Sequence, residues 1–146
     1  MCIVIHAISR NKSCYNYNGN GDIFFVKFSP ASAAEAGGLR PGAVTGGHGA
    51  LPHTMTDPVA AAAALITSLQ QVVSRNNNAT IPTVLSIGRV IANGATNVIP
   101  PVVQVAGTLR TMDERWRAQA KRRIHEIAAG VAAAHCVTAE VKIPEG

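Results

Sequence analysis

The 146-residue chain is poor in aromatic side chains, which make up 4% of it, and in charged side chains, which make up 14%. Because this share of charge is well below that of a typical globular protein, we expect part of the surface to contact a partner. With few aromatic residues and many alanines, the core layers should approach closely over small side chains. The length predicts one domain with one core.

Cysteine is also scarce. Cys2, Cys14 and Cys136 form no C-x-x-C pair, and their odd number leaves one thiol unpaired in any disulfide scheme. A reduced, cytoplasmic setting is therefore expected. No apolar stretch reaches the roughly 20 residues that a membrane span requires, and residues 1–12 lack the basic start and the cleavage site of a signal peptide. The pattern predicts a soluble protein with no membrane partner.

The net charge of +5 is concentrated in one predicted helix, which carries Arg115, Arg117, Lys121, Arg122 and Arg123. A basic patch can neutralise phosphates, but aromatic residues for base stacking do not interleave with this one. No finger or RNA-binding signature accompanies it. We interpret the cluster as a solvated helix face and predict no nucleic-acid partner.

Residues 1–45 form a weakly determined front segment with one predicted strand at 22–28, which is rich in β-branched and aromatic residues. The pattern sharpens at Asp57, a favourable N-cap followed by Pro58 at the first helical position. A helix to about 76–78 is predicted, and its apolar stripe comprises Val59, Ala62, Ile66, Leu69 and Val73.

Two strands, a second helix and a last strand complete the pattern. The strands at 83–91 and 102–112 should pair antiparallel, and the connection around 92–101 is too long for a tight two-residue hairpin turn. The second helix is capped by Thr111 or Asp113, and its predicted buried stripe comprises Trp116, Ala120, Ile124, Ile127, Val131 and Ala134. With a final strand at 137–143, the order predicts an α+β, ferredoxin-like βαββαβ fold. It has a four-stranded antiparallel sheet with two helices on one face.

Three polar residues lie at the ends of these elements. His48 stands in the glycine-flanked run 46–49, and Asn97 and Arg110 follow apolar segments. A histidine, an amide and a guanidinium so placed can hold a carbonyl oxygen and a carboxylate. Each also has an ordinary structural interpretation: a tight turn that leaves His48 exposed, loop backbone bonded by Asn97, and a surface Arg110 or one paired with Asp113.

The segment 46–143 resembles the small lid and dimerisation domain of the dinuclear zinc aminoacylase and carboxypeptidase family, which includes hippurate hydrolases and N-acyl-amino-acid amidohydrolases. The resemblance is closest to the hippurate hydrolase branch. We accordingly place the lid domain at 46–146. The matching blocks, in order, are Gly46 to His53 with Asp57-Pro58, Gly94 to Pro100, and Gly107 to Thr111.

The resemblance implies that lids pair into a homodimer through a sheet edge or a helix. It also implies that His48 donates a hydrogen bond to the oxyanion in the partner subunit's active site. By the same resemblance, Asn97 contacts the scissile carbonyl or the polar end of an N-acyl amino acid, and Arg110 grips its carboxylate. Zinc-activated water belongs to the parent enzyme in this family. The fragment is expected not to be catalytic alone.

The family's metal-binding blocks are missing from this sequence. His48 and His53 are five residues apart in a Gly/Pro loop, without further ligands at the usual spacing, so we predict no metal site in the chain. Residues 22–36 resemble the catalytic-domain strand that ends in Gln-Pro-Ala-Glu-Glu, with its metal-binding Glu absent. An alternative function is a peptide-binding module, because residues 29–42 resemble a stretch of PDZ domains.

Overall fold

The computed structural model describes residues 21–31 and 46–144. The strands are β1 (Gly21–Pro30), β2 (Gly47–His48), β3 (Thr83–Ile91), β4 (Val98–Ile99), β5 (Val103–Thr111) and β6 (Val137–Lys142). The helices are α1 (Pro58–Ser74) and α2 (Glu114–Ala134), and a short 3-10 turn covers Pro52–Thr54. These bounds agree with the predicted elements to within a few residues.

The main sheet has four strands in the order β3-β5-β1-β6, and every neighbouring pair is antiparallel. The alternate residues 22, 24, 26 and 28 of β1 are buried, as are 103, 105, 107 and 109 of β5. Both helices cover this buried face, which we call the helix face. The predicted α+β fold, a four-stranded antiparallel sheet with two helices on one face, is confirmed.

β1 lies in the middle of the sheet, hydrogen-bonded to β5 on one side and to β6 on the other. The resemblance of residues 22–36 to a catalytic-domain strand stays a prediction; in this structure Phe24, Val26 and Phe28 are buried in the core of the sheet. The predicted strand belongs with those of 46–146, although it precedes residue 45. The division of the chain at residue 45 stays a prediction.

The predicted stripe of α1 is confirmed in part. Ala62 and Leu69 are buried and Ile66 and Val73 are partly buried against the core, whereas Val59 is 40% exposed. The buried stripe also includes Ala61, Leu65 and Val72, because the run of alanines at 60–64 gives little contrast between helix faces. In α2 most of the predicted stripe is buried, but Ala134 is exposed and Val131 is half-buried; Ala128 and Ala132 are buried instead.

Close packing across the sheet depends on Gly107 of β5. A Cβ atom at this position would lie 2.3 Å from the carbonyl oxygen of Ser86 and 2.6 Å from Cζ of Phe24. A side chain here would therefore displace either a neighbouring strand or a core ring. The small residue lets the Phe24 ring pack directly against the backbone of β5.

Ion pairs between side chains join α2 to the sheet. Asp22, 1% exposed on the helix face, accepts two hydrogen bonds from Arg117, Nε to Oδ2 at 2.6 Å and Nη2 to Oδ1 at 3.1 Å. Lys121 Nζ lies 3.0 Å from Oδ1. The interpretation of the basic cluster as wholly solvated is therefore wrong for Arg117 and Lys121, which neutralise a buried carboxylate.

Candidate functional site

The turn that carries His48 is fixed by backbone contacts. β2 and β4 form a two-residue ladder that pairs Gly47 with Ile99 and His48 with Val98, and the N–H of Gly49 donates to the carbonyl of Asn97 at 2.8 Å. Gly46 has φ +71°, and a Cβ there would lie 2.7 Å from the carbonyl oxygen of Ile99. The glycine is therefore required at the point where the chain enters the ladder.

The orientation of the His48 ring follows from the same turn. The backbone N–H of Ala50 donates to His48 Nδ1 at 3.2 Å. Because Nδ1 accepts this hydrogen bond, the proton of the neutral imidazole resides on Nε2. His48 thus presents an N–H donor on the side of the ring that faces away from its own turn.

Asn97 lies beside that donor. Its Nδ2 is 3.5 Å from His48 Nε2, and both side chains are exposed. Two N–H donors cannot bond each other, but at this separation both can donate to a single oxygen atom. The structure therefore brings His48 and Asn97, which are 49 residues apart in sequence, into one donor pair.

A shallow depression of about 320 Å³ adjoins this donor pair. Its lining includes the backbone around Gly49 and Asn97 together with the small apolar residues Val59, Ala92 and Ala95. Asp57 also reaches it, but its Oδ1 accepts from the N–H groups of Val59 and Ala60 as the N-cap of α1. A small acyl or side-chain group could lie in this depression beside the two donors.

Arg110 lies at the opposite end of the sheet. The connection with Asn97 leaves the sheet at Ile91 and re-enters it at Val103, whereas Arg110 is paired with Val84, near the start of β3. The seven steps along the strand from Val103 to Arg110 span about 23 Å at the usual rise of an extended strand. One protomer therefore does not bring His48 and Arg110 together.

The backbone of β5 directs Arg110 away from the helices. Its neighbours Leu109 and Thr111 are buried on the helix face, and Arg110 itself is exposed on the other side of the sheet. A guanidinium on this side can offer two parallel N–H donors to a carboxylate, which is the geometry that arginine provides.

Metal ligands are not grouped in the described part of the chain. Residues 21–31 and 46–144 contain no cluster of three or more His, Cys, Asp or Glu side chains that could hold a metal ion. His53 is exposed in the 3-10 turn and does not belong to a cluster of this kind.

Burial lowers the pKa of His125, on α2, and so favours its neutral form.

Asp22 is the main residue that the sequence interpretation missed. Burial alone would raise the pKa of its carboxyl, but hydrogen bonds from Arg117 and Lys121 outweigh that effect and lower the pKa below its ordinary value. The signal was present, because Asp22 shares the strand alternation of Phe24, Val26 and Phe28 and is therefore expected on the buried face.

Residues 29 and 30 of the PDZ-like stretch end β1, and residues 32–42 of that stretch lie outside the described residues. Within the described part of the chain, none of the helices is both long and apolar enough to cross a membrane.

A family model described as the peptidase dimerisation domain matches residues 44–136. The N-acetyl-L-cysteine deacetylase of Bacillus subtilis is 40% identical over 101 residues, which cover 69% of this chain and 24% of that protein. The N-acyl-L-amino acid amidohydrolase of Geobacillus stearothermophilus is 39% identical over 101 residues, 69% of this chain and 27% of that protein.

Among solved structures, the YXEP protein of Bacillus subtilis, described as a dinuclear metal binding peptidase from the M20 family, superposes with a TM-score of 0.58 at 26% identity. The match covers 85% of this chain and 25% of that one. The chain thus spans only about a quarter of the length of these relatives. With a family model matched over more than half of its residues, the chain belongs to the peptidase dimerisation domain family.

Proposed function

We propose that this chain is the dimerisation and lid domain of a metal-dependent amidohydrolase that hydrolyses N-acyl amino acids or similar amides. The observation that carries the proposal is the division of polar groups between two ends of one sheet. His48 and Asn97 offer two converging N–H donors at one end, and Arg110 offers a guanidinium at the other. We also propose a cytoplasmic location, on the odd number of cysteines.

The donor pair suits an oxyanion. When the carbonyl carbon of an amide is attacked, negative charge develops on its oxygen, and fixed N–H donors stabilise that charge more than they stabilise the starting carbonyl. The His48 ring is held by the hydrogen bond from the N–H of Ala50 to Nδ1, and the Asn97 backbone is held by the hydrogen bond from the N–H of Gly49 to its carbonyl. Arg110, in turn, suits the carboxylate of the N-acyl amino acid.

A homodimer can combine the two ends in one site. Antiparallel pairing of two copies along the same edge strand places the Thr83 end of one β3 beside the Ile91 end of the other. This brings Arg110 of one protomer to the side on which the partner carries its His48 and Asn97. The arrangement agrees with the expectation that His48 acts in the partner subunit's active site.

β3 is the better of the two edges for such pairing. It exposes Val84 at 54% and Val90 at 50%, and the neighbouring helix α1 exposes small residues such as Ala60 and Ala63. β6, the other edge, carries Glu140 and Lys142 instead. An exposed apolar edge strand beside small helix residues supports pairing with a second copy.

The described residues do not provide a ligand set for a metal ion, so a zinc or similar divalent ion would have to be held by another region of the parent enzyme. The contribution of this chain is therefore limited to pairing, substrate recognition and stabilisation of charge.

A graft tests the proposal. Residues 21–144 replace the corresponding domain of the B. subtilis N-acetyl-L-cysteine deacetylase, and hydrolysis of N-acetyl-L-cysteine is measured with zinc content and thermal unfolding as controls for folding. We expect a folded, active graft in which activity depends on His48. A folded graft whose activity does not change in the His48→Ala variant would contradict the proposed role.

Oligomeric state tests the dimer independently of activity. The chain should sediment with twice its mass of 15.2 kDa, and the double variant Val84→Lys, Val90→Lys should sediment as a monomer, because lysines on an edge strand oppose edge pairing. Thr138→Lys on β6 is the matched control and should remain dimeric. A monomeric native chain would reject pairing through β3. Equal loss of dimer in the β3 and β6 variants would reject it as well.

A further inference from the structure

The sheet has a second face, opposite the helices, that carries exposed apolar side chains. We call it the open face. Ile23 is 50% exposed, Phe25 is 44% exposed and Val84 is 54% exposed, although all three belong to strands of the main sheet. Apolar side chains grouped on a face that no helix covers often mark a binding surface.

The strand register places Arg110 at the margin of this apolar group. Arg110 is paired with Gly21 on β1 and with Val84 on β3, while Ile23 is paired with Thr108 and Phe25 with Ala106. Ile23 is thus the diagonal neighbour of Arg110, about 7–8 Å away, and Phe25 lies one further pair along. Because Gly21 has no side chain, the surface between Arg110 and Ile23 is left uncrowded.

The charge of the open face favours an anionic ligand. Its described basic side chains are Lys27, Arg89, Arg110 and Lys142, and Glu140 is its one described acidic side chain. Glu140 lies 3.7 Å from Lys27 and 3.9 Å from Lys142, so its charge is already compensated. What remains is an apolar surface bordered by positive charge.

We infer that the open face selects N-acyl amino acids whose carboxylate is joined to a large apolar side chain, with Ile23 and Phe25 as the specificity-determining residues. This inference rests on the proposed function, in which Arg110 holds the carboxylate. A carboxylate on Arg110 places the substrate's α-carbon over Gly21, and an apolar side chain one or two bonds further on lies on Ile23. An aromatic or leucine-sized group extends from there towards Phe25.

The distance between Arg110 and Ile23 favours a small amphipathic ligand. The distance between Arg110 and Ile23 matches the distance between the carboxylate and the side chain of a single amino acid. An acidic protein segment that covered the whole face would also have to face Lys27 and Lys142, which are engaged with Glu140. Docking of such a segment is an outcome that the following experiment separates.

The test is a titration of the isotope-labelled chain followed by two-dimensional amide NMR. The ligands are N-acetyl-L-phenylalanine, N-acetylglycine and N-acetyl-L-phenylalanine amide, which lacks the free carboxylate. We expect N-acetyl-L-phenylalanine to shift the signals of Ile23, Phe25 and Arg110 and to bind about tenfold more tightly than N-acetylglycine, since it covers apolar surface. The amide should bind more weakly than the acid.

The double variant Ile23→Thr, Phe25→Thr should bind N-acetyl-L-phenylalanine no better than N-acetylglycine. Threonine suits a strand, and both positions are exposed, so the fold is retained. Val90→Thr is the matched control, because Val90 is 50% exposed and paired with Val105 on the helix face. It should keep the native preference.

The outcomes distinguish the two claims. Equal affinity for the phenylalanine and glycine ligands, or a preference that survives the double variant, overturns the inference even when binding depends on Arg110. Carboxylate-dependent binding that persists in Arg110→Ala overturns the role of Arg110 in the proposed function. An open face whose signals do not respond to any of the ligands overturns the inference and favours a protein segment as its occupant.

Discussion

The two ends of the sheet are built in different ways. At one end, His48 and Asn97 are exposed on short turns held by a two-residue ladder and single backbone hydrogen bonds. At the other end, Arg110 stands on a nine-residue strand, across the sheet from the buried ion cluster of Asp22, Arg117 and Lys121. At the first end, local turns determine where the donors lie. At the second end, the packed sheet determines where the cation lies.

In the proposed function, this difference means that one chain supplies only part of a site. Donors fixed by their turns suit an oxyanion that forms during a reaction, whereas a guanidinium on a strand suits a carboxylate present from the start. The ends are about 23 Å apart along β5. We propose that both act on one small substrate when a second copy brings the opposite end alongside.

The largest expected effect is on the kinetic constants, which should differ between substitutions at the two ends of the sheet. In the grafted enzyme, His48→Ala should lower kcat about 100-fold or more, because an oxyanion donor acts mainly in the transition state. Arg110→Ala should mainly raise KM for substrates with a free carboxylate. Steady-state kinetics on N-acyl amino acids and on their amides measure both, and an Arg110 effect of equal size on the amides would contradict the contrast.

A smaller effect concerns the anchoring of the Arg110 end. Asp22→Ala should lower the free energy of unfolding by about 3 kcal/mol, because it leaves two partly buried cations without their carboxylate. Urea unfolding measures this, with Glu126→Ala as the control, since Glu126 pairs with Arg123 on the exposed side of α2. Similar losses in the two variants would show that the Asp22 cluster is no better anchored than a surface pair.

The same cluster predicts a pH dependence. Burial opposes ionisation of Asp22, but the hydrogen bonds from Arg117 and Lys121 prevail and lower its pKa. A carboxyl whose folded pKa is lowered contributes stability above its unfolded pKa of about 3.9, and that contribution is lost as the pH falls through the folded value. Unfolding measured between pH 6 and about pH 2 should show a shallower acid loss in Asp22→Asn. An identical profile would contradict the assignment.

The smallest effect tests the His48 end. Gly46→Ala should cost about 1–2 kcal/mol of stability, because φ is +71° and a Cβ would lie 2.7 Å from the carbonyl of Ile99. Thermal unfolding measures the cost. Since β2 and β4 should separate, kcat of the graft should fall as well; unchanged kcat would show that His48 does not depend on this turn. Gly130→Ala on α2, where a Cβ meets no atom within 4 Å, is the control.

Much of the fold could be predicted because its signals are local. Asp57-Pro58 marks the start of α1, and Pro82 and the turn at Asn93-Gly94 bound β3. The phase of α1 could not be derived, since alanines surround the helix and only packing distinguishes Leu65 from Val59. Nor could the register of β1 be derived, because it depends on pairing with residues that lie about 75 or more positions away along the chain.

The candidate site could be predicted in its residues but not in its arrangement. The family resemblance singled out His48, Asn97 and Arg110, and the structure brings the first two within hydrogen-bonding reach. It places the third at the far end of β5. The separation of Arg110 from His48 and Asn97 depends on strand order and register, which the residue types alone do not determine. The Asp22 cluster joins residues 95 positions apart; strand alternation predicts that Asp22 is buried but does not predict which cations pair with it.

The most direct measurement is subunit complementation in the grafted enzyme. His48→Ala and Arg110→Ala homodimers, each strongly impaired, are mixed in equal amounts and allowed to exchange subunits, and activity on an N-acyl amino acid is followed. If each site takes His48 from one protomer and Arg110 from the other, a mixed dimer has one intact site, and the mixture should recover about a quarter of the native activity. No recovery, with subunit exchange verified, would contradict a site shared between two copies of this domain.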